Sequence, residues 1–212
     1  MWTDRARPAA VAAVLALVLG GATGAGADQA RTAKPPARRT SSAFTCAADL
    51  GVGVTTKRQF CDVIITSVAA ASVSITIPPH TGAATLMFDL HNRFTVPPPP
   101  VDATRAFTQH TAVVSVIRQT GEVIERVAAS RDYRTPSDLF DRVPGSGRGA
   151  PPKADAPGTP TPIKVTIPPG VTVVGIVGSR LEEWRTTGRG AFDSPGRAIA
   201  IVSNVRIEYT PR

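Results

Sequence analysis

Asp89 and His91 are the pair of residues in this sequence whose types and spacing best suit chemistry. Side chains two positions apart on a β-strand point to the same face, so a carboxylate and an imidazole would stand side by side here. Such a carboxylate orients an imidazole for general-base catalysis or for metal binding. Residues 89–93 equally have the composition of a strand end that runs into a turn, and this is the interpretation we prefer.

Two further histidines complete a metal-binding alternative. If folding gathered His80, His91, His110 and Asp89, three imidazoles and one carboxylate would suit zinc or iron. No local spacing brings them together, because His80 follows a Pro-Pro pair and His110 begins a separate predicted strand. We therefore expect no metal and no other cofactor, and we expect alanine at position 89 or 91 to leave the domain folded.

The sequence contains none of the short motifs that identify common hydrolases and nucleotide-binding enzymes. It has no Gly-x-Ser-x-Gly elbow, no His-Glu-x-x-His, no Walker loop and no paired-cysteine metal signature. Hydrolysis needs a nucleophile or metal, a base with the group that orients it, and donors for the developing charge. The sequence offers only the base and its orienting group, His91 and Asp89. We therefore prefer a non-enzymatic binding or cell-envelope protein. The alternative is a small secreted hydrolase or metal-binding protein that uses Asp89 and His91.

The candidate ligand-binding residues are Trp184, Arg131 and Arg134. Trp184 lies in the polar stretch Leu-Glu-Glu-Trp-Arg, where a half-exposed indole would offer a flat surface for a sugar ring, although a packed tryptophan is more common. The two arginines belong to a cluster around a predicted short helix, and guanidinium groups suit carboxylates, phosphates and sulfates. The chain's 20 arginines against 4 lysines also fit a biased genome composition.

The first 27 residues predict export. A basic start is followed by an apolar run over residues 9–19 and by small residues that end in Ala25-Gly26-Ala27, which is the pattern of a secretory signal peptide. The run is too short to span a bilayer, and no later segment is apolar enough to do so. The mature protein is thus predicted to be secreted or periplasmic, without a transmembrane segment. Its two cysteines, Cys46 and Cys61, are predicted to form a disulfide.

The formal net charge of +8 does not indicate a nucleic-acid partner. Three charged residues leave with the signal peptide, and eight more lie in segments predicted to be unstructured. The folded part keeps 16 basic and 13 acidic residues, with no basic helix and no basic stripe interleaved with aromatics. The candidate partners are instead an envelope polymer or another exported protein.

Two segments lack apolar periodicity and are rich in proline, glycine and charge. Residues 28–42 are predicted to be a flexible basic leader, and residues 144–162 a disordered Pro/Gly-rich loop. The segment after this loop is too short to fold alone, so residues 43–212 are predicted to form one domain.

The rest of the chain predicts an antiparallel β-sandwich. Eight short runs of Val, Ile and Thr are bounded by Pro, Gly, Asn and Asp, and several alternate apolar with polar residues. The predicted strands are Val63–Val68, Val73–Ile77, Ala84–Leu90, Ala112–Arg118, Glu122–Ala128, Ile163–Ile167, Val171–Val177 and Ala198–Tyr209. Gly121 is expected to turn a hairpin, and Thr135-Pro136 to begin the single short helix. The fold class is all-β, of immunoglobulin-like or jelly-roll type.

Overall fold

Each of the eight predicted strands coincides with or overlaps a β-strand. The computed structural model describes residues 35–96, 107–145 and 149–212, and Pro35–Arg212 form one compact unit. The described strands are β1 (Arg38–Ser41), β2 (Phe44–Cys46), β3 (Ala48–Val52), β4 (Gln59–Ile64), β5 (Val73–Thr76), β6 (His80–Thr95), β7 (Thr108–Arg118), β8 (Val123–Tyr133), β9 (Asp155–Pro157), β10 (Thr161–Ile167), β11 (Val173–Arg185), β12 (Gly188–Phe192) and β13 (Ala198–Pro211).

The strands form two antiparallel sheets. Sheet 1 has the order β10-β6-β13-β4-β3, with β1 paired to β13 and β9 paired to β6. Sheet 2 has the order β2-β5-β11-β7-β8, with β12 paired to β11. Side chains from the inner faces of both sheets make one core, which includes the fully buried Ile75, Leu86 and Val114. The predicted antiparallel β-sandwich is confirmed.

Local sequence accounts for the turns and short helices. Gly121 has a φ of +86°, and the backbone N–H of Arg118 donates to the carbonyl of Glu122, so β7 and β8 form the predicted hairpin. The helix predicted near Thr135 is a single 3₁₀ turn at Pro136–Asp138. A second 3₁₀ turn, at Ala69–Ala71, was not predicted. No helix among the described residues is long and apolar enough to cross a bilayer.

Parts of both segments predicted to be unstructured are ordered as strands. Residues 38–41 of the leader form β1, which pairs with residues 206–209 of β13. Residues 155–157 form β9 against the end of β6, and β10 begins at Thr161, inside the predicted loop. β1 pairs with the long strand β13, and β9 and β10 pair with the long strand β6. Sequence periodicity within a segment does not reveal such a partner strand. The predicted signal peptide and the first part of the leader lie outside the described residues.

The predicted disulfide is confirmed and joins the two sheets. Cys46 lies on β2 of sheet 2 and Cys61 lies on β4 of sheet 1, with their Cα atoms 5.4 Å apart. A second cross-connection is made by the buried Asn92 of β6, whose side-chain amide donates to the backbone carbonyls of His110 and Ala129 in sheet 2. The sandwich is therefore held together by covalent and polar contacts as well as by its apolar core.

Candidate functional site

The alternative that pairs Asp89 with His91 is not seen, because each side chain is hydrogen-bonded to other groups. The Asp89 carboxylate accepts from Arg58 Nη1 at 2.8 Å and from Asn204 Nδ2 at 3.0 Å. The Nδ1–H of His91 donates to the carbonyl of Gly158 at 2.7 Å, and its Nε2 accepts from the Ser203 hydroxyl at 2.8 Å. A backbone carbonyl, rather than Asp89, therefore orients the imidazole.

The Ser203–His91 contact resembles a nucleophile with its base, yet it is closed to substrate. Both side chains are fully buried, and the imidazole lies between the rings of Phe60 and Phe140. Burial is the main cause that lowers the pKa of His91 to about 4, so the ring stays neutral at physiological pH. Catalysis requires an accessible reacting atom, and this pair has none.

Residues 139–145 and 149–158, here called the cover segment, bury His91 against the outer face of sheet 1. Phe140 and Val143 pack on Leu50, Phe60 and Ile201 in a second apolar cluster. The backbone N–H of Phe140 donates to Pro157, and that of Gly158 donates to Asn92. This is the stretch that overlaps the predicted disordered loop, and its backbone is instead bonded to itself and to the sheet.

Asp141 fastens the cover segment to the loop between β3 and β4. Its carboxylate accepts from the backbone N–H groups of Thr55 and Thr56, at 3.0 and 2.8 Å, and from the Thr56 hydroxyl at 2.6 Å. Burial alone would raise the pKa of Asp141, but these hydrogen bonds outweigh burial and hold it at about 2. The carboxylate is therefore ionised and fully bonded at neutral pH.

The structure does not gather the three histidines. His80 begins β6 and His91 lies eleven residues further along it, about 36 Å away on an extended strand. His80 Nδ1 contacts the carbonyl of Pro78. His110 is on β7 of sheet 2 and bonds Glu183. Among the described residues, no three His, Cys, Asp or Glu side chains are grouped as metal ligands.

The three predicted ligand-binding residues do not converge either. Gln109 of β7 lies opposite Trp184 on one side and Asp132 on the other, so these three side chains share the outer face of sheet 2. Arg131 precedes Asp132 on β8, and its side chain therefore points to the opposite face. Arg131 donates to the carbonyl of Pro160 at 3.3 Å. Arg134 lies beyond the end of β8 and covers the ring of Phe107 at 4.9 Å. Of these three residues, Trp184 alone, which is 46% exposed, offers an accessible aromatic surface.

Trp184 lies on a polar part of the outer face of sheet 2. Arg189 of β12 covers the indole at 4.9 Å and also pairs with Glu182 at 2.8 Å, so the ring is held in position. Across the strands, Thr111 and Ser130 form a hydroxyl-to-hydroxyl hydrogen bond of 2.9 Å. Flat aromatic and hydroxyl-bearing side chains thus stand on one sheet surface, here called the Trp184 face.

A polar cleft of about 300 Å³ lies between the ends of the two sheets. Sheet 1 contributes Arg93 and Thr95, and sheet 2 contributes His110, Glu183 and Arg185. His110 Nε2 donates to Glu183 at 3.0 Å, and burial is the main cause that lowers the pKa of His110. Its side chain is only 8% exposed, so the histidine serves to hold Glu183.

Arg93 pairs with two carboxylates, that of Asp155, which lines this cleft, and that of Asp62, which does not. Its guanidinium donates to Asp62 at 2.6 Å and to Asp155 at 2.5 Å, and Thr95 donates to the second oxygen of Asp155 at 2.7 Å. Burial raises the pKa of Asp62 to about 6 against the opposing effect of Arg93. Hydrogen bonds from Arg93 and Thr95 outweigh burial and lower the pKa of Asp155.

Sequence reasoning missed the cleft because its members are far apart in the chain. His110 and Glu183 are separated by 73 residues, and Arg93 and Asp155 by 62. The only local signal was the polar stretch around Trp184, in which Glu183 and Arg185 alternate with the tryptophan. Alternation on a strand sends these two side chains to the face opposite Trp184, which is the face that lines the cleft.

Comparison with known proteins gives no family for this chain. No family model matches it, and no curated protein matches it. The K1 cleaved adhesin domain of Lys-gingipain from Porphyromonas gingivalis W83 is 11% identical with a TM-score of 0.33, over 84% of this chain and 99% of that chain. The VP2 subviral particle of infectious bursal disease virus is 11% identical with a TM-score of 0.25, over 85% of this chain and 42% of that chain. Similarity this low carries no argument about function.

Proposed function

We propose that this protein is an exported, non-enzymatic β-sandwich that binds a saccharide polymer of the cell envelope or its surroundings on the Trp184 face. The observation that carries the proposal is the exposed indole of Trp184, which stands on the outer face of sheet 2 among hydroxyl and carboxylate side chains. A sugar ring offers an apolar face to an aromatic side chain and hydroxyl groups to its polar neighbours. The Arg189 contact fixes the indole before a ligand arrives, which lowers the entropy cost of binding.

One further observation supports this proposal over a secreted hydrolase, and another supports export, which both functions share. The serine and histidine that most resemble catalytic groups are buried beneath the cover segment. The Cys46–Cys61 disulfide suits an oxidising compartment, as does the signal-peptide pattern of the first 27 residues.

The test is retention of the purified exported protein on insoluble polysaccharides such as cellulose, chitin and peptidoglycan. We expect retention by at least one polymer, and we expect Trp184→Ala to weaken it about tenfold or more, since burying an aromatic ring stabilises by about 1.5–3 kcal/mol. The matched control is Val68→Ala, which removes another exposed apolar side chain. Val68 lies near the β7–β8 turn, whereas Gln109, the neighbour of Trp184, lies at the other end of β7, so the control is remote from the proposed site.

Two results would overturn the proposal. One is the absence of retention on every polymer tested. The other is equal retention of the Trp184→Ala variant and the wild-type protein, with both folded as judged by their thermal unfolding.

A further inference from the structure

The cleft between the sheet ends has the size and lining of a site for one small polar molecule. Its volume of about 300 Å³ lies at the lower end of the range for ligand pockets. Apolar walls come from Leu181 and Phe192, and the remaining lining is mostly charged. The residues belong to both sheets, so the site exists only when the sandwich is closed.

The carboxylates of the cleft are already held in fixed positions. Glu183 accepts from His110 and from Arg185 at 2.7 Å, and Asp155 accepts from Arg93 and Thr95. Carboxylate oxygens have about four lone-pair sites, so both groups can still accept hydrogen bonds from hydroxyl groups of a ligand. Acceptors that are already held in position bind with a smaller entropy cost.

Arg197 supplies the cleft with a third arginine beside Arg93 and Arg185. Among the described residues it makes no ion pair, whereas Arg93 and Arg185 are both paired. Its guanidinium lies 3.6 Å from the centre of the Phe192 ring, which orients its plane beside the cleft. A guanidinium held in this way offers two parallel N–H groups to a carboxylate.

We propose that this cleft binds a hydroxylated carboxylate of the size of a single hexuronic acid, with its carboxylate on Arg197 and its hydroxyl groups on Glu183 and Asp155. The ligand's ring would pack on Phe192 and Leu181. This site is separate from the Trp184 face and does not depend on the proposed function, because the two surfaces lie on opposite sides of β11.

The test is calorimetric titration of the full exported chain at pH 7 with D-glucuronate and D-galacturonate, beside D-glucose and acetate. We expect at least one uronate to bind about tenfold or more tightly than both D-glucose, which lacks the carboxylate, and acetate, which lacks the hydroxyl groups. We expect Arg197→Gln to weaken uronate binding about tenfold, and Arg197→Lys to restore only part of it, because lysine keeps the charge and loses the planar fork. Binding should also weaken as salt rises.

Two control variants separate this site from its surroundings. Arg126→Gln removes an exposed arginine on β8 outside the cleft, and Trp184→Ala removes the platform on the opposite face. Both should bind uronate as the wild type does. The proposal is overturned by no measurable uronate binding, by acetate or D-glucose binding as tightly as uronate, or by uronate affinity that is unchanged in a folded Arg197→Gln variant. Loss of uronate binding in Trp184→Ala would assign the ligand to the Trp184 face and would also overturn it.

Discussion

His91 shows how a residue with catalytic chemistry becomes structural. Its two nitrogens bond a backbone carbonyl and a serine hydroxyl, and two aromatic rings enclose it. A buried imidazole without a partner would cost about 1–3 kcal/mol, so these contacts offset a real penalty. Alanine at position 91 is expected to leave the domain folded but clearly less stable, since the substitution opens a cavity and leaves Ser203 without its partner.

The neutral state of His91 makes the stability of the domain depend on pH. The pKa of His91 is about 4 in the folded protein against 6.5 for the free side chain. The unfolded chain therefore binds more protons between these values. The stabilising contribution of His91 is complete above pH 6.5 and is lost as the pH falls towards 4. From pH 7 to pH 5 the expected loss is about 2 kcal/mol.

Urea unfolding of wild type and His91→Gln at pH 7 and pH 5 measures this loss. Between pH 7 and pH 5 the free energy of unfolding should fall by about 2 kcal/mol more in the wild type than in the variant. Asp62 changes the free energy of unfolding in the opposite direction, because its pKa is raised to about 6 in the folded protein. Its contribution to stability is therefore lost as the pH rises from 3.8 towards 6. Asp62 is present in both proteins, so its effect cancels in the comparison. Equal losses in the two proteins would contradict the assignment to His91.

At the scale of elements, the strands that could be predicted are those with local apolar alternation. In β5, Val73 and Ile75 are buried while Thr76 is exposed, and this periodicity is visible in the sequence. The strands β1 and β9 contain arginine, proline and aspartate and have no such pattern. They form because β13 and β6 are longer than their other partners and leave backbone groups to be paired.

The candidate site was less predictable than the fold because it also depends on contacts between residues that are far apart in the sequence. Trp184 could be selected because a polar sequence surrounds it, and its exposure depends on local alternation. Glu183 could be identified only through its contact with His110, which is made across two strands of sheet 2. Arg197 is selected by the absence of a carboxylate neighbour among the described residues, which is a property of the folded surface.

The cover segment depends on the bonds that Asp141 makes. Asp141→Ala leaves three backbone N–H groups, those of Thr55, Thr56 and Arg142, and the Thr56 hydroxyl without their acceptor. We expect the free energy of unfolding to fall by about 1–3 kcal/mol. Hydrogen exchange should also increase at residues of the cover segment. The matched control is Asp132→Ala on β8, which is exposed and should change stability by less than about 0.5 kcal/mol.

A result in which Asp141→Ala is as stable as Asp132→Ala would contradict this role for the aspartate. Exchange rates separate local from global effects, because loosening of the cover segment alone should leave the amides of β7 and β11 protected.

At the scale of the whole molecule, neither half of the chain completes a sheet. β10, β11 and β13 come after residue 149, and they pair with β6, β7 and β4 from before residue 145. A protease site engineered between residues 145 and 149 should therefore give two fragments that stay together, because each alone would expose an apolar sheet face. Size-exclusion chromatography without denaturant, followed by mass analysis, measures the association.

The matched control is the same cut in protein treated with denaturant and reductant, which should give two separate peaks. The disulfide does not contribute to association, because Cys46 and Cys61 both lie in the first fragment. Fragments that separate under native conditions would indicate two independent folding units.

The position of β13 governs when the protein can fold. This strand comes last in chain order among the described strands, yet it lies inside sheet 1, where it pairs with β4, β6 and β1. Arg39 of β1 and its partner Glu208 are separated by 169 residues. The strands that precede β13 therefore lack the centre of this sheet, and non-local pairing of this kind is slow to form. The topology thus makes sheet 1 depend on a strand that follows all the others, so β4 and β6 keep one edge unpaired in a folding chain until β13 has docked.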